Sequence, residues 1–243
     1  MGIIKFILDI IFPIYCISCK KEGPAWLCDK CLNKIIFKVN QTCPICNKII
    51  TPNGETCFNC KHQSAIDGIL VASFYRKNKK KTVVAALIHF YKYRFVDTIG
   101  LSLGKILERS ILRSTLPLPE IIIPVPLHHR RLRWRGFNQS QLLATYLGEN
   151  LTPGFGIPVA TDALLRNRYT KPQMEIKNRQ KRELNTQDAF SFNEKKITSK
   201  EIQGKIIFLV DDIATTGSTL FECAKELKKT GAKKVYGIVL ARQ

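Results

Sequence analysis

The chain of 243 residues carries 39 Lys and Arg against 19 Asp and Glu, a formal net charge of +20, and is 45% apolar. The apolar share supports a packed core and excludes a globally disordered chain, and the length suits one ordinary domain with a small appendage. The positive field favours phosphates, nucleic acid or acidic membrane surfaces as partners, with a merely solubilising surface as the plainer alternative.

The stretch Ile3 to Ile14 is apolar but is interrupted by Asp9 and Pro13. It lacks a small-residue cleavage site, so no secretory signal is expected. It is also shorter than the roughly 20 apolar residues of a transmembrane helix. Phe6 stands where a myristoylation signal after Met1-Gly2 requires Ser or Thr. A cytoplasmic protein with no transmembrane segment is the expectation. Within an N-terminal segment 1–13, residues 3–12 read as one short apolar helix. It packs on the protein's own domains or, on the other reading, at an interface or against a partner.

Residues 14–62 form a distinct block. It holds Cys16-x2-Cys19, Cys28-x2-Cys31, Cys43-x2-Cys46 and Cys57-x2-Cys60. Each pair offers two thiolates to one ion, and two pairs complete a tetrahedral site, so the block is expected to hold two structural Zn²⁺ ions. Sequential pairing is the simplest arrangement; the spacing is also compatible with an interleaved one. His62 is an alternative ligand. A block this poor in apolar runs needs such ions to fold, and a cytoplasmic address argues against disulfides. Eight thiolates around two Zn²⁺ would lower the net charge to about +16.

From residue 65 to 243 the pattern is that of an α/β domain, a mostly parallel sheet with helices on both faces. Gly68 to Tyr75 reads as a strand and Lys77 to Lys81 as a charged turn. Thr82 to Tyr93 and Val96 to Ser114 carry helical spacing. Glu120 to Val125 is a continuous apolar strand of the doubly buried kind. Gly136 to Glu149 reads as a helix. Residues 150–205 are weakly patterned, with a strand near Ala189 to Phe192. Lys205 to Val210 is the strongest strand. A helix, Thr219 to Thr230, is capped by Gly231, and Lys234 to Leu240 is a last strand. Cys223 falls inside the late helix as an ordinary buried thiol.

The segment Ile206 to Leu220, IIFLVDDIATTGSTL, concentrates the chemistry. At the carboxyl end of a parallel strand, ligands meet the loops. The N–H groups of a Gly-containing loop and of the next helical turn can cradle a phosphate. Thr215, Thr216, Ser218 and Thr219 add hydroxyls, and Gly217 lets the backbone come close. Asp211 and Asp212 are placed to hold ribose hydroxyls, directly or through hydrated Mg²⁺. The segment resembles the phosphoribosyl pyrophosphate motif of type I phosphoribosyltransferases, two acids followed by x-x-Thr-Thr-Gly-x-Thr.

A second segment, Pro124 to Gln139, reads as a strand, a basic loop and the start of a helix. Its His128, Arg130, Arg131, Arg133 and Arg135 are candidates for holding pyrophosphate. His129 and Trp134 stand among them. Lys92 follows an apolar helix. Further on come Arg168-Tyr169-Thr170-Lys171-Pro172-Gln173, then Arg179, Asn185 and Phe190. With the cysteine knuckles, these residues make the chain resemble the ComF family, phosphoribosyltransferase-like proteins of bacterial competence, over nearly its whole length.

The resemblance implies a phosphoribosyl-pyrophosphate-binding component of DNA uptake that handles incoming single-stranded DNA. A protein of the competence machinery, a helicase or translocation component, is a further implied partner. The alternative is an active phosphoribosyltransferase that uses a nucleobase or similar acceptor. A third reading is a regulator that senses the nucleotide without turnover.

Overall fold

The computed structural model describes residues 13–48, 53–93, 97–170 and 184–242. The helix expected over residues 3–12 and the residues Lys171, Pro172, Gln173 and Arg179 lie outside them. Two short helices, α1 (Asp29–Leu32) and α2 (Phe58–Lys61), belong to the cysteine-rich block. Next come β1 (Gly68–Phe74), a small hairpin of β2 (Arg76–Lys77) and β3 (Lys80–Lys81), α3 (Val83–Tyr93) and α4 (Ile99–Leu112). After β4 (Ile121–Pro124) follow α5 (His129–Arg135), α6 (Gln139–Asn150), β5 (Leu164–Arg166) and β6 (Phe190–Phe192). The chain ends with α7 (Ser199–Ile202), β7 (Ile206–Ala214), α8 (Ser218–Lys229) and β8 (Lys234–Arg242). Among the described residues no helix is long and apolar enough to cross a membrane.

Among the described residues, β1, β8, β7 and β4 form a parallel sheet in that order. Strand alternation sends Phe208, Val210, Ile238 and Leu240 to one face, where α3, α4 and α6 pack. Ile207, Leu209, Val235 and Val239 go to the other, beneath α8 and the antiparallel pair β5 and β6. Both faces are covered, which is why these strands read as unbroken apolar runs.

The order of the strands makes the site. After β4 the chain turns to α6 on one face; after β7 it turns to α8 on the opposite face. A crevice opens between the carboxyl ends of these two neighbouring strands, the position where open α/β sheets take ligands.

β1 lies at an edge, and the cysteine-rich block covers it. Lys38 N donates to Ala72 O at 3.0 Å, and Ile69 N to Gly54 O at 3.0 Å. The buried Gln41 side chain pairs with both backbone groups of Val71, at 2.9 and 3.1 Å. Such cover removes an unpaired strand edge. The block also docks on α4 and its flanks through Trp26 to Thr98 (2.9 Å), Arg109 to Asn33 (2.6 Å) and Asn53 to Thr115 (2.8 Å).

Three boundaries differ from the sequence expectation. β7 runs on through Asp211 and Asp212 to Ala214, because β8 pairs with it as far as Arg242. The charged turn is a hairpin, with Asn78 and Lys79 at positive φ as a tight two-residue turn requires. The basic loop after β4 is the helix α5. His128 caps its start by accepting from Arg130 N at 3.3 Å, and Gly136 ends it in the left-handed region at φ 77°.

Candidate functional site

In the cysteine block the four sulfurs of Cys16, Cys19, Cys28 and Cys31 lie within 4.8 Å of one another, as do those of Cys43, Cys46, Cys57 and Cys60. Pairing is therefore sequential, and His62 stands outside both groups. Each site joins a tight turn to a helical knuckle. In the first kind, Lys20 and Asn47 take positive φ and return hydrogen bonds to Cys16 O (2.8 Å) and Cys43 O (3.0 Å). In the second, Cys28 and Cys57 precede α1 and α2, and their N–H groups point at Cys16 Sγ and Cys43 Sγ, both at 3.5 Å. The Cys19–Cys28 and Cys46–Cys57 sulfurs are 3.8 Å apart. Four thiolates at ~2.3 Å from a tetrahedral Zn²⁺ are themselves separated by ~3.8 Å, so the donor set fits zinc and leaves no position for a substrate. These are two structural zinc-binding sites.

The crevice holds the second constellation. Asp212 is buried and its carboxylate meets Lys92 Nζ, from the last turn of α3, at 2.8 Å. Asp211 Oδ1 accepts from Ser140 Oγ at the start of α6 (2.9 Å) and from Asp212 N (2.9 Å). Burial, reinforced by the charge of Asp212, pushes the Asp211 carboxyl up to about 6 against the pull of Lys92 and Ser140.

Beyond the acids, Thr215 to Ser218 form the turn into α8. Thr215, Thr216 and Ser218 are buried. Gly217 sits at φ 87°, and Ser218 N donates to Thr216 Oγ1 at 3.3 Å. Thr215 and Thr219 line the crevice with the two acids.

Of the basic residues after β4, the helical spacing of α5 divides the set. Arg131 and Arg135, four apart, face the crevice. Arg130 and Arg133 are exposed outside it, His128 is buried as the helix cap, and Trp134 is 58% exposed. Arg131 also donates to Thr170 O at 2.8 Å.

Four further residues line the crevice: Lys92 and Gln139, from stretches that carry the family resemblance, and Ser140 and Arg166, which no motif marks. Arg166, at the end of β5, bonds Thr170 Oγ1. Burial, then the neighbouring charge of Arg131, brings its guanidinium down to about 10. Burial likewise holds Arg135 below its ordinary value. The buried Nε atoms of Arg135 and Arg166 and Nε2 of Gln139 have no hydrogen-bond partner. Buried donors left open in a crevice mark a place for an acceptor-rich, anionic ligand.

Comparison with known proteins identifies both parts of the chain. Residues 7–63 match the double zinc ribbon domain family, and residues 142–243 match the phosphoribosyl transferase domain family. Competence protein F of Haemophilus influenzae is 30% identical over 242 residues, spanning 95% of this chain and 98% of that one. The chain belongs to the ComF family. DNA utilization protein YhgH of Salmonella typhi is a further relative, 36% identical over 163 residues, 65% of this chain and 67% of that one. Among solved structures, glutamine phosphoribosylpyrophosphate amidotransferase from B. subtilis aligns at a TM-score of 0.36 and 21% identity. That alignment takes in 58% of this chain and 25% of the solved one. This ComF chain thus joins a phosphoribosyltransferase-type domain to a double zinc ribbon.

Proposed function

We propose that the crevice binds phosphoribosyl pyrophosphate and that the protein serves DNA uptake by handling the incoming single strand. The observation that carries the ligand is the set of buried, open donors on Arg135, Gln139 and Arg166 facing the carboxylates of β7. In this reading Asp211 and Asp212 face the ribose. The turn Thr215, Thr216, Gly217, Ser218 and Thr219 holds the 5-phosphate, and Arg131, Arg135 and Arg166 hold the diphosphate. Mg²⁺ can accompany the diphosphate, as it does in solution, without a protein ligand of its own. The uptake role is supported by the names of the relatives, competence protein F and DNA utilization protein YhgH. The net charge of +20 supports contact with a nucleic acid backbone. A helicase or translocation component of the competence machinery, meeting the protein in the cytoplasm, completes this reading.

A transferase reading is favoured by one observation: three guanidiniums, those of Arg131, Arg135 and Arg166, line the crevice beside the two acids. An acceptor nitrogen would bond to the ribose C1 as the C1–O bond to pyrophosphate breaks, and the guanidiniums would stabilise the leaving diphosphate.

Calorimetric titration with phosphoribosyl pyrophosphate, on wild type and on Asp211→Asn/Asp212→Asn, tests the ligand. Saturable binding lost in the variant is the expected result; no binding by the wild type overturns the reading. Release of pyrophosphate on adding nucleobases, nucleosides or DNA ends would select the transferase. Affinity for single-stranded DNA that falls steeply with salt is expected, and no affinity at low salt overturns the DNA role.

A further inference from the structure

The pair Lys92–Asp212 stands in the middle of the crevice and has a consequence for how the diphosphate is held. A carboxylate with a side chain only 8% exposed needs a cation beside it. A divalent ion or an ammonium group can fill that need, and here the ammonium group of Lys92 fills it at 2.8 Å. The other carboxylate is partly engaged, since Asp211 Oδ1 already accepts from Ser140 and from the backbone of Asp212, which among the described residues leaves Oδ2 as its one uncommitted oxygen. Mg²⁺ wants an octahedron of oxygens with one or two free carboxylates. Around these two acids the crevice instead places Lys92, Arg131, Arg135 and Arg166. Four cations facing two carboxylates repel a divalent ion from the empty site and leave positive charge for an anion.

The placing of Lys92 is built in. Tyr91, the residue before it, is fully buried and donates its hydroxyl to Gln139 O at 3.0 Å, while its ring meets that of Phe137 at 5.5 Å. These contacts pin the end of α3 to the start of α6, so the Lys92 side chain can move while its backbone stays.

We propose that Lys92 is the resident counter-cation of the crevice. It neutralises Asp212 in the empty site, reaches the diphosphate of the incoming ligand with its remaining N–H donors while keeping Asp212, and so makes binding independent of Mg²⁺. The inference rests on the phosphoribosyl pyrophosphate reading above, and its test separates the two.

Inorganic pyrophosphate and phosphoribosyl pyrophosphate are titrated calorimetrically in buffer freed of Mg²⁺ by ion exchange and with added Mg²⁺ into wild type, Lys92→Met, Lys92→Arg and Lys92→Met/Asp212→Asn. Thermal melting and a content of two zinc ions per chain confirm that each variant is folded under both conditions. Wild-type affinity is expected to differ by less than about threefold between the two conditions, and Lys92→Met to bind at least about tenfold more weakly without Mg²⁺. Mg²⁺ restores Lys92→Met, because the freed Asp212 can take the ion, and fails to restore the double variant. Lys92→Arg stays close to wild type. Wild-type binding that vanishes without Mg²⁺, or Lys92→Met binding unchanged without Mg²⁺, overturns the role of Lys92 and leaves the ligand assignment standing. No binding of either ligand by the wild type under any condition overturns the ligand assignment and the role of Lys92 with it.

Discussion

Arg242 donates from its guanidinium to the carbonyl of Pro44 at 3.2 Å, across 198 positions of sequence. Pro44 lies inside the Cys43–Cys46 knuckle, and Nε of the same guanidinium approaches Thr215 O in the turn before α8 at 3.4 Å. The second zinc site and the turn proposed to hold phosphate therefore share one strut. Loss of that zinc through Cys46→Ser is expected to lower zinc content from two ions to one per chain and to weaken phosphoribosyl pyrophosphate binding by about three- to tenfold, the scale of one charge-assisted hydrogen bond. Arg242→Met is expected to give the same loss of affinity with both zinc ions retained. Zinc assay and calorimetry on the same samples check both.

Gly217 carries the tightest backbone demand in the phosphate turn. At φ 87° a side chain is strained, and a Cβ there would lie 3.1 Å from the Phe221 ring and 3.3 Å from Ile69. Gly217→Ala is expected to cost about 1–3 kcal/mol of stability and to weaken ligand binding by about tenfold or more, because the turn must shift. Gly231, at φ 89° behind α8 and away from the crevice, is the control. Gly231→Ala should lower the melting temperature without changing affinity.

Asp67 closes the far end of the sheet. Its carboxylate meets Lys228 at 2.8 Å and Lys234 at 3.0 Å, and accepts from Val235 N at 2.8 Å. Burial alone would raise this carboxyl, but Lys228, the Val235 amide and Lys234 outweigh it and hold it below its ordinary value. A folded-state value below the unfolded one gives stability that is present above about pH 4 and is lost as pH falls through the folded value. Asp67→Asn is expected to cost about 1–3 kcal/mol near neutral pH. The gap from wild type should narrow below about pH 4, as urea denaturation at a series of pH values will show.

Gln41 joins the zinc block to the sheet edge. Replacing it with Ala leaves the N–H and C=O of Val71 buried and without that partner. The expected cost is about 1–3 kcal/mol, with greater self-association of the exposed edge. Chemical denaturation and light scattering check the two effects.

The sequence makes the sheet and the zinc sites readable because their signals are local. The apolar runs of β4, β7 and β8 and the repeated Cys-x2-Cys spacing each lie within a dozen residues. The two acids and the turn that follows them are readable as a strand end and a helix start for the same reason. Helix α5 is not, since its two large apolar residues, Leu132 and Trp134, are 41% and 58% exposed, so it has no buried stripe to create a period. Its evidence lies only in its ends, His128 and Gly136. Helix α7 did leave a signal, the Thr198-x-x-Glu201 capping box, in which Thr198 N donates to Glu201 at 2.8 Å. Among the cations of the crevice only Arg166 left no trace in the sequence. Lys92, Arg135 and Arg166 come from three separate elements, and only the sheet order brings them together.

Hydrogen exchange with and without phosphoribosyl pyrophosphate tests the central claim most directly, because it reports where the ligand acts as well as whether it binds. The account expects increased protection of the amides of residues 213–219 and of the Arg131–Arg135 end of α5, with the zinc knuckles little changed. Protection confined to other parts of the chain, or no change at saturating ligand in a folded protein with both zinc ions bound, would contradict it.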